Sequence, residues 1–276
     1  LEPLYDTLKK EILSTQYLQA DETPIKVLDR DKKGTTHRGY HWVYHAPEER
    51  LVLFDYREGR GREGPTEVLK DFRGYLQADG YAVYEDFEKK RGITVLNCMA
   101  HARRKFDEAK ANDLARAEYA LTEIQKLYAI ERQLRNEGLT TAQRYNLRQQ
   151  KSLPLLNDLK NWMLENYKSV LPKSTIGQAL HYSLERFDKL MLYCADGKLE
   201  IDNNLIENAI RPVAIGRKNY LFAGSHQGAR RAAMLYSFLG TCKINEVNPF
   251  EWLRATLVKI PTYPVNQLTD LLPRKM

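Results

Sequence analysis

Cysteine is scarce in this chain, three in 276 residues, scattered at positions 98, 194 and 242. So few, and an odd number, exclude a disulfide framework and suit a reducing compartment, which makes the cytoplasm the expected location. No apolar run reaches the roughly 20 residues of a membrane span, and no secretory pattern opens the chain. The chain starts on Leu1 rather than methionine and reads as a fragment of a longer protein. Low-complexity tracts are missing, as is any clear domain linker. Cys98-Met99-Ala100-His101 has no second Cys/His pair at metal spacing, so zinc is not the reading. What is present is a globular composition, 43% hydrophobic and 29% charged, with a net charge of +7 that favours an anionic partner.

The first hundred residues read as a sheet. The word YLQAD occurs twice, at 17–21 and 75–79, and alternates as a strand should, with Leu18 and Ala20 on one face and Tyr17, Gln19 and Asp21 on the other. Two further runs, 39–46 and 50–57, are rich in β-branched and aromatic residues and are separated only by 47–49, which predicts a hairpin. After a glycine-punctuated loop, Pro65 opens a short helix over 65–72. The second YLQAD follows, then a polar helix over 84–90 and an apolar strand over 93–99. The order β-β-β-α-β-α-β describes a mixed sheet with helices against it. The segments after the two YLQAD words differ in kind, so the word does not mark an internal repeat.

From about 102 to 195 the pattern turns helical. Leu121, Ile124, Leu127 and Leu134 keep helical spacing, as do Leu155, Leu159, Trp162, Met163 and Val170. Residues 138–141 and 171–175 read as helix connections. Two more helices close the chain, the second announced by Asn248 as N-cap, Pro249 in the first turn and Glu251 completing a capping box.

Three carboxylates stand out. The two YLQAD words are in phase, so neighbouring strands would present Asp21 and Asp79 on one face, while Glu207 lies on the helix begun by Asp202-Asn203-Asn204. Carboxylates converging from two strands and a helix are what a two-metal phosphoryl-transfer site requires. Plainer readings stand beside this one. Asp79-Gly80 is a common turn pair and Asp21 would suit a turn before Glu-Thr-Pro. Asn204 and Glu207 have capping-box spacing, and Glu207–Arg211 that of an i,i+4 pair. His37, His41 and His45, spaced by four along a strand, read as solvated side chains rather than metal ligands.

The segments LQADETP, LQADGYAVY, CMAHARRKF and, above all, IDNNLIENAIRPVAIGRKNYLFAGS resemble the catalytic region of the insertion sequence sixty-six family of bacterial transposases. The resemblance runs from about residue 15 to the C-terminal LLP. It implies an α/β fold of the ribonuclease H-like class, a mixed sheet flanked by helices. A core of residues 1–101 and 196–276 would carry a helical insertion at 102–195, between the last strand and the glutamate helix. It makes Asp21, Asp79 and Glu207 the acidic trio, with the two YLQAD words as adjacent parallel strands. The trio would hold two Mg²⁺ ions, or Mn²⁺, that serve cleavage at a transposon end and transfer of the freed 3′-hydroxyl to target DNA. It further implies DNA contacts through His101 and, inside the motif, Arg217 and Lys218; Asn203, Asn204 and Arg211 are further candidates, while Arg103-Arg104-Lys105 and Arg230-Arg231 could grip phosphates or simply form solvated helix faces. The partners would be DNA, a second copy of the chain and accessory proteins of the same element. Asp202 is read as serving the helix N-terminus. Two rivals remain open: a nuclease of the same fold that only hydrolyses, and a DNA-binding protein without catalysis.

Overall fold

A computed structural model describes residues 1–28, 34–89 and 92–274. The chain divides into two compact units. The first comprises Leu1–Leu76, Asp86–Thr94 and the stretch from Asn204 onward. The second comprises Gln77–Glu85 and Val95–Asn203.

In the first unit, a helix that the sequence reading did not anticipate leads into the sheet: α1, Glu2–Leu13. Its signals were present. A proline lies in its first turn, and Leu4, Leu8 and Ile12 recur every four residues and are buried together. The strands β1 (Tyr17–Leu28), β2 (Thr36–Ala46) and β3 (Leu51–Arg57) form an antiparallel set. The turn Pro47–Arg50 between β2 and β3 bears out the hairpin. β1 is far longer than the YLQAD word that announced it, because its register with β2 continues from Gln19 opposite His45 to Leu28 opposite Thr36. The helix expected over 65–72 forms instead as α2, Glu63–Val68.

β4 (Gly74–Ala78) and β5 (Ile93–Asn97) complete one mixed sheet of order β3-β2-β1-β4-β5. β4 enters through hydrogen bonds from Tyr75 N–H to the Gln16 carbonyl and from Gly74 N–H to the Gly92 carbonyl, 2.8 Å each. Gly74 permits this approach: its φ is +134°, and a Cβ there would collide with the Gln16 carbonyl. The polar helix expected over 84–90 is α3 (Ala82–Glu85) followed by a 3₁₀ turn at Asp86–Lys89; its last residue, Lys90, lies outside the described residues.

Helices α10 (Asn204–Tyr220), α11 (His226–Ile244) and α12 (Pro249–Lys259) belong to the first unit. Ile206, Ile210 and Val213 of α10 and Ala229 and Ala233 of α11 pack on Ile25, Val43, Val52 and Phe54, closing a core over one sheet face. α11 also serves the sheet edge. Ser237 Oγ and Thr241 Oγ1 accept from the β3 amides of Phe54 at 2.8 Å and Val52 at 3.2 Å, so these amides of the outermost strand are paired. Asn248 caps α12 as read, accepting from the amides of Phe250 and Glu251. Glu251, given a capping-box role, pairs with Arg254 at 3.2 Å.

The second unit is built on α4 (Met99–Ala109), α5 (Leu114–Asn136), α6 (Thr141–Leu147), α7 (Leu153–Tyr167), α8 (Thr175–Glu185) and α9 (Phe187–Met191). The connections read at 138–141 and 171–175 fall between helices, with Thr140 and Ser174 as N-caps. The strand expected to reach 99 stops at Asn97, because Cys98 takes the N-cap position of α4. A π-helical turn, Arg148–Ser152, joins α6 to α7. It delivers a fully buried Arg148 to Glu131, Nε to Oε1 at 2.8 Å and Nη2 to Oε2 at 2.7 Å.

Candidate active site

Asp21 lies mid-strand in β1, half-buried and opposite Val43 of β2, so the turn reading fails for it. Its Oδ1 accepts from Glu22 N–H at 2.7 Å. Two residues earlier on the same face, fully buried Gln19 turns its Oε1 to Ile206 N–H at 3.2 Å. That bond pins the first turn of α10 to β1. Glu207 follows Ile206 directly, is half-buried, and stands in the first turn, where the exposed amides and helix dipole favour a negative charge. The fold therefore brings Asp21 and Glu207 to one side of the sheet. Among the described residues neither Glu207 nor Arg211 makes a side-chain hydrogen bond or ion pair, so the i,i+4 reading fails. The helix begins at Asn204 itself, which does not suit Asn204 as its cap.

In the second unit, half-buried Asp79 follows directly after β4. Its Oδ1 accepts from Tyr81 N–H at 2.9 Å and its carbonyl from Tyr182 OH at 3.0 Å. Gly80 follows with φ +91°, so the turn read from Asp-Gly exists beside the carboxylate. His101 sits half-buried in the first turn of α4, while Arg103 and Arg104 are exposed on the same helix. Cys98 Sγ accepts from Asn203 N–H at 3.4 Å, and burial pushes this thiol up to about 12. Asn203 is fully buried, and among the described residues its side-chain amide has no hydrogen-bond partner, whereas Asn204 is exposed. Asp202 has a role its position in sequence did not show: it is buried and accepts from Tyr128 OH at 2.8 Å.

Two of the three strand histidines are a correction. His41 is wholly buried and His45 nearly so, and burial lowers both to about 4, with the charge of Arg217 adding at His41. They point to the face covered by α10 and α11, and His41 packs edge-on against Phe54, Tyr56 and Tyr236. Only His37 is exposed, bonded to the Glu58 carbonyl at 2.5 Å.

Three basic residues, Lys26, Arg38 and Arg217, gather at the far end of β1. Half-buried Arg217 donates to the Pro24 carbonyl. Beyond α10, Ala223 pairs with the strand, donating to the Lys26 carbonyl and accepting from Leu28 N–H, 2.8 Å each. A cleft of about 600 Å³ results, lined by Lys26, Arg38 and Arg217 with Ile25, Leu221 and Phe222. Three cations beside exposed apolar side chains suit a nucleic-acid strand, phosphates on the cations and bases on the apolar surface. Lys26, Arg38 and Phe222 escaped the sequence reading because they lie far apart in the chain; the motif's trailing KNYLF was the available signal.

Residues 1–231 match the family profile described as Transposase IS66 family, and residues 237–273 match the IS66 C-terminal element. The chain belongs to the IS66 transposase family. Three uncharacterized proteins of Sinorhizobium fredii resemble it over 99% of its length: y4hP and y4qI at 33% identity and y4jD at 32%. The IS66 chain spans about half the length of these curated relatives, 53% of y4hP and y4qI and 56% of y4jD. No solved structure matches. The longer match contains Asp21, Asp79 and Glu207 together with both YLQAD words.

Transposase chemistry of the kind expected from the sequence calls for divalent metal. Among the described residues of this IS66 chain, no three His, Cys, Asp or Glu side chains are grouped so that they could hold an ion. The donor chemistry itself fits: Asp21 and Glu207 offer hard oxygen ligands of the type Mg²⁺ takes, and among the described residues the Glu207 carboxylate has no side-chain partner to displace. Within the first unit the set is one acid short of a trio.

Proposed function

We propose that the chain is the catalytic part of a DNA transposase with a ribonuclease H-like core, in which Asp21, Asp79 and Glu207 act together. Residues 102–195 form a helical insertion between the two parts of that core. The observation that carries this reading is the Gln19–Ile206 hydrogen bond, which sets the glutamate-bearing turn of α10 over the face of β1 that carries Asp21. The third acid would come from Asp79, at the end of the second copy of the same strand word.

The three carboxylates would hold divalent ions, Mg²⁺ or Mn²⁺, which when bound activate a nucleophile and stabilise the leaving oxygen. Asp21 and Glu207 supply fixed negative charge from a rigid strand and a helix turn, so little rearrangement is needed to receive cations. In the first step a water oxygen attacks the phosphorus at the transposon end. The P–O3′ bond breaks, and a free 3′-hydroxyl and a 5′-phosphate result. In the second, that 3′-oxygen attacks a target phosphodiester, forms a new P–O bond and releases the target's own 3′-hydroxyl. Lys26, Arg38 and Arg217 hold strand phosphates. His101 would help position the DNA. A second copy of the chain and accessory proteins of the element are the expected partners, and the cytoplasm the expected setting.

The test is strand cleavage and strand transfer in Mg²⁺ with duplexes carrying the element's terminal sequence, one intact and one pre-cut to expose the 3′-end. The proposal expects both reactions. Cleavage without joining of the pre-cut end identifies a hydrolytic nuclease instead, and binding without either reaction identifies a non-catalytic DNA-binding protein.

A further inference from the structure

A second cleft, of about 530 Å³, opens between α10 and α11 above the β2–β3 turn. Arg50, Arg211 and Lys243 line it, and no carboxylate stands among its described lining residues. Three cations without counter-charge make a strong attraction for an anion. Most of the remaining wall is proline, leucine, isoleucine and alanine carbon. The size falls within the range of small-molecule sites and exceeds what a bare phosphate fills.

His45 lines the floor of the cleft and is 3% exposed, so only a ring edge meets the opening. Arg50 has φ +57°, a conformation in which glycine or asparagine costs less. It is held there because its carbonyl accepts from Asn245 Nδ2 at 2.8 Å and its guanidinium donates to the Ile244 carbonyl.

We propose that this cleft seats a nucleoside phosphate: phosphate on Arg50, Arg211 and Lys243, base against the apolar wall, and the base edge read by His45 and the amide of Asn208. The inference goes beyond the proposed transposase chemistry and does not depend on it, since none of the three acids lines the cleft. The same chemistry arrives as a free mononucleotide or as an unpaired nucleotide within a DNA strand.

The experiment is calorimetric titration of the 276-residue chain with a deoxynucleoside 5′-monophosphate, with inorganic phosphate and with a short single-stranded oligonucleotide, repeated on Arg50→Gly and Lys243→Met. Arg50→Gly deletes the cation and relieves the backbone, so it separates binding from folding. The mononucleotide is expected to bind at least tenfold more tightly than inorganic phosphate. Each variant should lose at least tenfold while melting within about 3 °C of the parent. Oligonucleotide binding that both variants weaken, without mononucleotide binding, supports the seat and assigns it to a strand. Equal binding of phosphate and mononucleotide overturns the proposal, as does unchanged affinity in Arg50→Gly or no binding of any probe. Glu207→Gln should retain the affinity, so failure of the acidic trio and failure of this seat are distinguishable.

Discussion

Residues that sequence position left ambiguous are separated by what surrounds them. The spacing of His37, His41 and His45 was legible, but a strand period does not say which face is covered. β2 lies inside the sheet with α10 and α11 over that face, which makes His41 and His45 core residues. Both have folded values near 4, below the unfolded 6.5. Above about pH 6.5 both states are neutral and the two groups add no pH dependence to stability. As pH falls from 6.5 toward 4, the unfolded chain takes up protons that the folded chain refuses, and stability is lost at up to roughly 1.4 kcal/mol per pH unit for each histidine. Urea unfolding at pH 7, 6, 5 and 4.5 should show this decline, and His41→Leu should make it shallower by about one proton; an unchanged slope in that variant would show that His41 is not held neutral. Asp202, which precedes the helix in sequence, is the buried acceptor for Tyr128. Asp202→Ala should cost about 1–3 kcal/mol by urea unfolding, the price of a stranded phenol, while Asp202→Asn keeps an acceptor and stays close to the parent.

At the scale of elements, strands and caps were legible where local rules decide them. The YLQAD words, the hairpin around 47–50, Thr140, Ser174 and Asn248 all follow from alternation, turn spacing or capping chemistry. The length of β1, the burial of Arg148 and the service of α11 to the β3 edge depend on contacts across more than 15 residues of sequence, which no local pattern reports. The buried pair supports a clear expectation. Arg148→Met leaves the buried Glu131 carboxylate only the Arg144 guanidinium at 3.8 Å and should cost about 3 kcal/mol, whereas Arg148→Met with Glu131→Leu should recover most of that loss. If the double variant is as unstable as the single one, the rest of the Arg148 network, its bonds to the Tyr193 and Asp196 carbonyls, carries the stability instead. On the sheet edge, Ser237→Ala and Thr241→Val each leave a buried β3 amide unpaired and should cost roughly 1–2 kcal/mol, read from thermal melting.

For the whole molecule, the family was legible as a resemblance, because the motif around Glu207 is long and specific, and the three acids stand as candidates within the match. The gathering of Lys26, Arg38 and Phe222 with Arg217 was not legible, since it depends on Ala223 pairing with β1. Net charge +7 and two cation-lined clefts predict binding to any duplex, with affinity falling log-linearly as salt rises. Fluorescence anisotropy across a salt series, with a random duplex and one carrying the element's terminal repeat, should give nearly equal affinities. A preference above about 4 kcal/mol for the repeat would mean that this chain reads base edges itself. The most direct measurement on the central claim is Mg²⁺-dependent cleavage of the terminal duplex by the parent chain, Asp21→Asn, Asp79→Asn, Glu207→Gln and Asp202→Asn, with melting recorded for each. The acidic trio predicts that the first three lose cleavage while remaining folded and that Asp202→Asn keeps it. Normal cleavage by Glu207→Gln together with its loss in Asp202→Asn would contradict the assignment.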